Sequence, residues 1–260
     1  MVRCVSQLSS VALAAAAARP GSTVVWPWGA LEQHGPHLPL GTDALFADRL
    51  LDRVLEQLDV ALPIWRLPLQ PLGFSPEHQS FAGTLTLPPE LLIAQVVAIG
   101  QQLALAGFDR LVLFNAHGGQ IALLQVAARQ LRAEAPQLAV LPCFLWSGPQ
   151  GLAELIAEPE RSGGLHAGLA ETSLMLHLAP QWVGEIPPAD GHQGPQPPPG
   201  WSLEGAVPSA WLTGDLSDSG VIGDPQGASA ALGAQLAERL IQGWVALFQQ
   251  LLVSNWPQGR

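Results

Sequence analysis

Apolar residues along this chain collect in two kinds of segment that follow one another. Short unbroken runs, TVVWPW at 23–28 and RLVLFN at 110–115, have the length and the β-branched and aromatic content of buried strands. LAVLPCFLW at 138–146 reads the same way, residues 59–67 hold a weaker candidate broken by Pro63, and GTLTL at 83–87 alternates as a short strand would. Longer segments between these runs carry helix signals. Ser9 and Ser10 are N-cap candidates for an Ala-rich helix that stops at Arg19, Pro20 and Gly21. Asp43 is the N-cap expected for a helix over 43–58, and Pro88 and Pro89 open one that runs to Ala106. Further helices are predicted from about 120 to Ala133, over 168–178 and from Pro225 to Leu252. Residues 70–83 and the Pro/Gly-rich stretch 187–200 read as irregular loops.

Helix and strand therefore alternate, which predicts an α/β fold with a mostly parallel sheet and helices on both faces. Neither an internal repeat nor a linker interrupts the pattern, so 1–260 is expected to be a single domain. In such folds ligands bind beyond the carboxyl ends of the strands. The loops that directly follow strands are where chemistry is expected.

Composition narrows the class of function. Charged residues make up only 12% of the chain, which points to surface covered by subunit partners and hence to a homo-oligomer, although an Ala- and Pro-rich bias of the genome would give the same shortage. Lys and Arg number 11 against 21 Asp and Glu, a net charge of 11 − 21 = −10. An acidic chain without a basic cluster argues against nucleic acid and against an anionic membrane surface as partners. Cys4 and Cys143 form neither a disulfide framework nor a paired-thiol metal motif, which suits a reducing, cytoplasmic location. The first twenty residues share some features of a secretory signal, but their Ala-rich stretch is weakly hydrophobic and reads better as a helix. No uninterrupted apolar run approaches the ~20 residues of a membrane-spanning helix.

Four loops carry candidate chemistry. In GALEQHGPHLPLGTD (29–43), Glu32 and His34 are two apart, so in an extended chain both project to one side. A carboxylate and an imidazole aimed at one point suit zinc, manganese or iron, and Asp43 closes the loop where it could bridge two ions. In NAHGGQ (115–120), His117 follows a strand directly, and Gly118 and Gly119 let the backbone approach a bound ion or substrate. In HAGLAETSLMLHL (166–178), His166 precedes a helix whose first turns place Glu171 beside apolar positions, costly unless it is paired or binds metal. His177, among leucines, reads as packing. GFSPEHQSFAGT (73–84) offers Ser75, Glu77 and His78, which could hold substrate. Each loop alone has a plainer reading, as a helix cap, a Gly-rich turn or a solvated loop. Together they favour a metal site built from carboxylates and imidazoles.

These stretches, with VIGDPQGAS (221–229), resemble the creatininase (creatinine amidohydrolase) family in their order along the chain. The resemblance implies a three-layer α/β/α sandwich, two divalent cations and a hexamer. It implies that Glu32 and His117 bind one ion, that His34 binds the other and that Asp43 bridges them. His166 matches the histidine proposed to move protons. Creatininase itself carries a glutamate ligand where this chain has Gly119, and an acidic residue where it has Leu165. Glu171 is the candidate inferred to replace the missing carboxylate, both as metal ligand and as part of the catalytic apparatus. Ser75, His78, Gly118 and Gly119 remain substrate-binding candidates. The SPEH and GDPQGAS stretches look like the mycofactocin-system branch, whose members act on a peptide. The expected reaction is hydrolysis of a C–N amide bond in a small molecule or peptide. Cleavage of a C–C bond by the same site, or an inactive metal-holding partner protein, are the alternatives.

Overall fold

A computed structural model of the chain describes residues 3–189 and 197–257; part of the Pro/Gly-rich stretch 187–200 lies outside them. Four strands form one parallel sheet: β1 (Thr23–Trp28), β2 (Ile64–Arg66), β3 (Arg110–Asn115) and β4 (Ala139–Phe144). Their spatial order is β2-β1-β3-β4. Around them run α1 (Ser10–Ala17), α2 (Thr42–Gln57), α3 (Pro89–Ala106), α4 (Ile121–Glu134), the short α5 (Glu160–Gly163), α6 (Leu169–Leu178), the short α7 (Thr213–Leu216) and α8 (Ala230–Val253).

Alternate residues of the two central strands feed two separate cores, as the period of two requires. Val25, Val112 and Phe114 pack with α2, α6 and α8 on one face. Val24, Trp26, Trp28, Leu111 and Leu113 pack with α3, α4 and Ala17 of α1 on the other. This is the three-layer α/β/α arrangement expected from the alternation. By length and composition α3 could cross a membrane, yet Leu92, Val96, Val97 and Leu103 from it are buried in the second core.

Two expectations are corrected. Residues 83–87 are not a strand. They brace two loops instead: Thr84 Oγ1 accepts from Gln33 N–H (3.1 Å) and Thr86 Oγ1 from Ser75 N–H (2.8 Å), while Leu85 and Leu87 N–H donate to Leu31 and Gly73 carbonyls. Hydroxyls that a sheet edge would leave to water are used to satisfy buried amides. Asp43 is not the N-cap of α2 either. Gly41 occupies that position, and Asp43 sits in the first turn with its side chain buried. Ser9 does cap α1, accepting from Ala12 N–H at 3.2 Å. Ser229 caps α8, which starts at Ala230 because 225–228 forms a turn.

The strand order fixes where a site can lie. The chain leaves β1 for β2 on one side, and β3 lies on the other, so a crevice opens between the carboxyl ends of β1 and β3. The loops after these two strands are 29–41 and 116–120.

Candidate metal centre

Backbone contacts fold the first loop over that crevice. Glu32 N–H donates to Leu40 O (3.0 Å), closing 29–41 on itself. A Cβ on Gly29 would lie 2.4 Å from Ala44 Cα, so only glycine lets the end of β1 meet the start of α2. That approach brings Asp43 beside Glu32. After β3, Asn115 clasps the next turn: its Oδ1 accepts from His117 N–H (3.0 Å) and its amide donates to His117 O (2.7 Å). Gln120 ties both loops together, donating to Gly29 O (3.1 Å) and Asn115 Oδ1 (2.8 Å) and accepting from Phe74 N–H (3.2 Å). His166 is held by a two-residue antiparallel bridge to Ile222, which explains why the VIGDPQGAS stretch belongs with the site motifs. Ala167 follows with φ 55°, and its N–H donates to Glu171 Oε2 at 2.7 Å.

The six expected catalytic and metal-binding side chains meet. His117 Nδ1 lies 3.2 Å from Glu32 Oε1 and 3.4 Å from Asp43 Oδ2; His34 Nε2 lies 3.5 Å from Asp43 Oδ1. His166 Nδ1 lies 3.7 Å from Glu32 Oε1. Three ligand sets, each with atoms within 4.8 Å of one another, result: Glu32–Asp43–His117, His34–Asp43–Glu171 and Glu32–His34–His166. Asp43 is common to the first two. Glu171 joins His34 and Asp43 in the second.

None of these contacts satisfies the carboxylates. Both oxygens of Glu32, Asp43 Oδ2 and His34 Nε2 are buried without a hydrogen-bond partner. Burying one such polar atom unpaired costs about 1–3 kcal/mol, and charged groups cost more. A fold does not gather several of them at one point without a counter-charge. Divalent cations fit this donor set of carboxylate oxygens and imidazole nitrogens.

The far side of each imidazole agrees. His34 Nδ1 faces Glu32 O (3.2 Å), His117 Nε2 faces Phe74 O (3.0 Å) and His166 Nε2 faces Gln33 O (2.7 Å). A carbonyl can only accept, so these nitrogens carry the protons. His34 Nε2, His117 Nδ1 and His166 Nδ1 face the carboxylates, so each of these rings, when neutral with its proton on the outer nitrogen, aims a lone pair inward as metal ligation requires.

Electrostatics follow from the same crowding. Burial disfavours the His34 cation, but Asp43 and Glu32 outweigh it and raise its pKa to about 9. Burial likewise opposes the His117 cation, and the same carboxylates lift it well above the ordinary value. Burial works against ionised Asp43, yet His34 and His117 hold it far below the usual carboxylate range. Burial raises Glu171 to about 7, against His34 and with Asp43. Burial, with His34 and His78 close by, holds His166 well below the usual imidazole value, and burial likewise lowers His78 to about 4, so that ring is neutral at pH 7.

The centre opens into a cavity of about 460 Å³, which also reaches Gly118, Gly119 and His78. Its lining also includes apolar Ile121, Phe144, Trp146, Leu152, Ile156 and Trp211, and charged Glu160, Arg161 and Glu204. Ser75, expected to touch substrate, is fully buried behind His117, 3.3 Å from its Nε2, and does not line the cavity. His177 faces Arg53 Nη1 at 3.3 Å, away from the centre. One further residue escaped the sequence reading. His37 donates or accepts with Thr172 Oγ1 at 2.8 Å, joining the first loop to α6. Glu77 fills the room beside Gly119, where an added Cβ would lie 1.9 Å from its Oε1. The sequence offered Glu77 as a residue that could hold substrate; its place beside Gly119 was signalled only by the absence of a side chain there.

Comparison with known proteins agrees with this geometry. The family model described as creatinine amidohydrolase matches residues 6–248. The mycofactocin precursor peptide peptidase of Mycobacterium ulcerans is 34% identical over 91% of this chain and 86% of its own length. The creatinine amidohydrolase of Pseudomonas putida is 32% identical over 60% of this chain and 64% of its own length. A solved manganese creatininase shares the fold, with a TM-score of 0.78 and 24% identity, covering 98% of this chain and 100% of the other. With the family model covering nearly the whole chain and a curated relative matching along most of its length, this protein belongs to the creatininase family of hydrolases.

Proposed function

We propose that this chain is a two-cation amidohydrolase that cleaves a C–N amide bond in a peptide or small molecule. One observation carries the reading: Asp43 belongs to two ligand sets at once, amid buried carboxylate and imidazole atoms that have no other partner. Glu32 and His117 would hold one cation, His34 and Glu171 the other, with Asp43 between them. Zinc, manganese and iron all suit these donors. Cations bound there would supply a water nucleophile at neutral pH, since coordination can lower the pKa of water from 15.7 to about 7, and would polarise the carbonyl.

The chain's own residues do the rest. His166 Nδ1 starts as a free acceptor beside Glu32, so it can take a proton and return it to the departing nitrogen, a step typically worth ~10²–10⁴-fold. Gly118, with nothing within 4 Å of an added Cβ, leaves its part of the cavity open to substrate, whereas the room beside Gly119 is taken by Glu77. A peptide substrate is favoured by the likeness to mycofactocin precursor peptide peptidases along most of the chain. The chain is also similar to a Thermotoga maritima 3-dehydro-scyllo-inosose hydrolase, at 24% identity, which keeps the C–C alternative as a rival outcome. The free thiols of Cys4 and Cys143 support a reducing, cytoplasmic setting. Exposed Leu91, Ile99 and Leu105 on α3 support a homo-oligomer, hexameric if it follows the family; sedimentation at the mass of one chain would exclude it.

Elemental analysis of purified protein, followed by a panel of cyclic amides, formamides and short peptides, tests the reading. It expects two divalent cations per chain and turnover of at least one amide, lost in His34→Ala. Trace metal only, with turnover unchanged by that substitution, would sink it. Bound metal without turnover on any member of the panel would leave a binding protein.

A further inference from the structure

One imidazole in the cluster is wired the opposite way from its neighbours. His34, His117 and His166 each give their outer N–H to a carbonyl and turn a lone pair inward. His78 is stacked on His166, ring centroids 4.1 Å apart and planes 29° apart, and it too reaches the centre, with Nε2 3.5 Å from Glu32 Oε1. Its outer nitrogen meets no carbonyl. Nδ1 lies 2.9 Å from the side-chain nitrogen of Gln33 and 2.6 Å from Thr213 Oγ1.

The orientation of the Gln33 amide is itself determined. Its Oε1 accepts from Gly35 N–H (2.8 Å) and its Nε2 donates to Gly220 O (3.0 Å). Turning the amide over would set oxygen against oxygen and N–H against N–H. Gln33 therefore presents an N–H to His78 Nδ1, which must accept, and the ring proton resides on Nε2. That proton points into the cavity beside the carboxylates.

We propose that His78 is a neutral N–H donor to the substrate carbonyl oxygen as that oxygen gains charge, and that Gln33 is the positioning residue that sets its tautomer. The inference rests on the amide-hydrolysis reading above and deepens it. Donors aimed in advance at developing charge are among the largest contributions to acyl-transfer rates. The division of labour follows from adjacent residues in one loop. Glu32 and His34 turn inward; Gln33, between them, turns outward and fixes both stacked rings. Its backbone oxygen accepts a hydrogen bond from His166 Nε2–H and its amide N–H donates one to His78 Nδ1. One ring then accepts a proton while its neighbour donates a hydrogen bond.

The test begins with ¹⁵N-histidine solid-state NMR on the full-length zinc-loaded protein, without substrate. The expected spectrum has His78 protonated at Nε2 and bare at Nδ1, and Gln33→Glu moves the proton to Nδ1. Thr213→Val, which keeps the Gln33 donor, leaves the wild-type pattern. On an amide that the wild type hydrolyses, His78→Leu should lower kcat by about 10²–10³-fold with little change in KM or in bound zinc. His78→Gln, which restores an N–H near the same place, should recover most of that loss. A proton on His78 Nδ1 in the wild type, or an unaltered kcat in His78→Leu, would overturn the assignment. A wild type inert to every amide would bring down the hydrolase reading and the donor role together; a wrong tautomer brings down the donor role alone.

Discussion

Strand β3 has buried polar side chains at both ends, and the fold treats them in opposite ways. At its start, Arg110 is 2% exposed, and its guanidinium gives hydrogen bonds to the carbonyls of Gly21, Ser254 and Trp256. The charge is spent on tying the C-terminal tail to the first turn of the chain. At its other end, Asn115 and His117 lead into Glu32 and Asp43, whose buried oxygens are left without partners. Both clusters are buried and polar; only one is incomplete. A satisfied cluster supports the fold, whereas an unsatisfied one supported by satisfied neighbours is a place for a ligand.

The contrast can be broken by substitution at either end. Asp43→Asn, which removes the carboxylate shared by two ligand sets, should lower turnover by on the order of 10³-fold, or about 4 kcal/mol, and reduce bound metal. Activity assays with elemental analysis check it, and a variant retaining full metal would deny Asp43 its bridging place. Arg110→Met should do the reverse, lowering stability by about 2–4 kcal/mol while leaving metal content intact. Thermal melts of the metal-loaded protein give the first number. Gly119→Ala tests the supporting shell, because its Cβ must displace Glu77 and press on His117 Nε2 at 2.7 Å. Metal affinity should fall by about 10–100-fold in a chelator competition. Gly118→Ala, with nothing within 4 Å of its added carbon, is the matched control and should bind as the wild type does.

The smallest effect concerns protons. In the metal-free protein the His34 pKa is raised from 6.5 to about 9, so this histidine is charged at pH 7 and must lose its proton when a cation binds. Metal uptake should therefore release protons at pH 7 and tighten as pH rises towards 9. Calorimetry in buffers of different ionisation enthalpy measures the release. The matching contribution to metal-free stability is complete below pH 6.5 and fades as pH climbs through 9.

Much of this was legible from local pattern. TVVWPW and RLVLFN are β1 and β3 to the residue, because continuous apolar runs of that length suit strands covered on both faces. Glu32, His34, Asp43 and His117 stood out as candidates because ligands gather after strands in such folds, whereas His166 stood out by the family resemblance and Glu171 as a carboxylate among the apolar positions of α6. What failed was decided by tertiary contact. GTLTL has the alternation of a strand, but its threonines were needed by Gln33 and Ser75. Asp43 reads as a cap because a carboxylate in a first helical turn serves either purpose, and only the approach of Gly29 to Ala44 decides between them. Glu77 and Gln33 carry no signal in spacing. Their roles depend on which atoms stand opposite once the loops have closed.

The candidate ligands come from segments as distant in sequence as Glu32 and Glu171, each hung on a strand end or helix start that must already be in place. A cation therefore cannot organise the chain from scratch, as zinc does in a finger whose ligands lie a few residues apart. Maturation should run the other way: the sheet assembles first, then the loops shut, and loading comes last. The protein should consequently survive removal of its metal as a folded scaffold and be rechargeable with a different one.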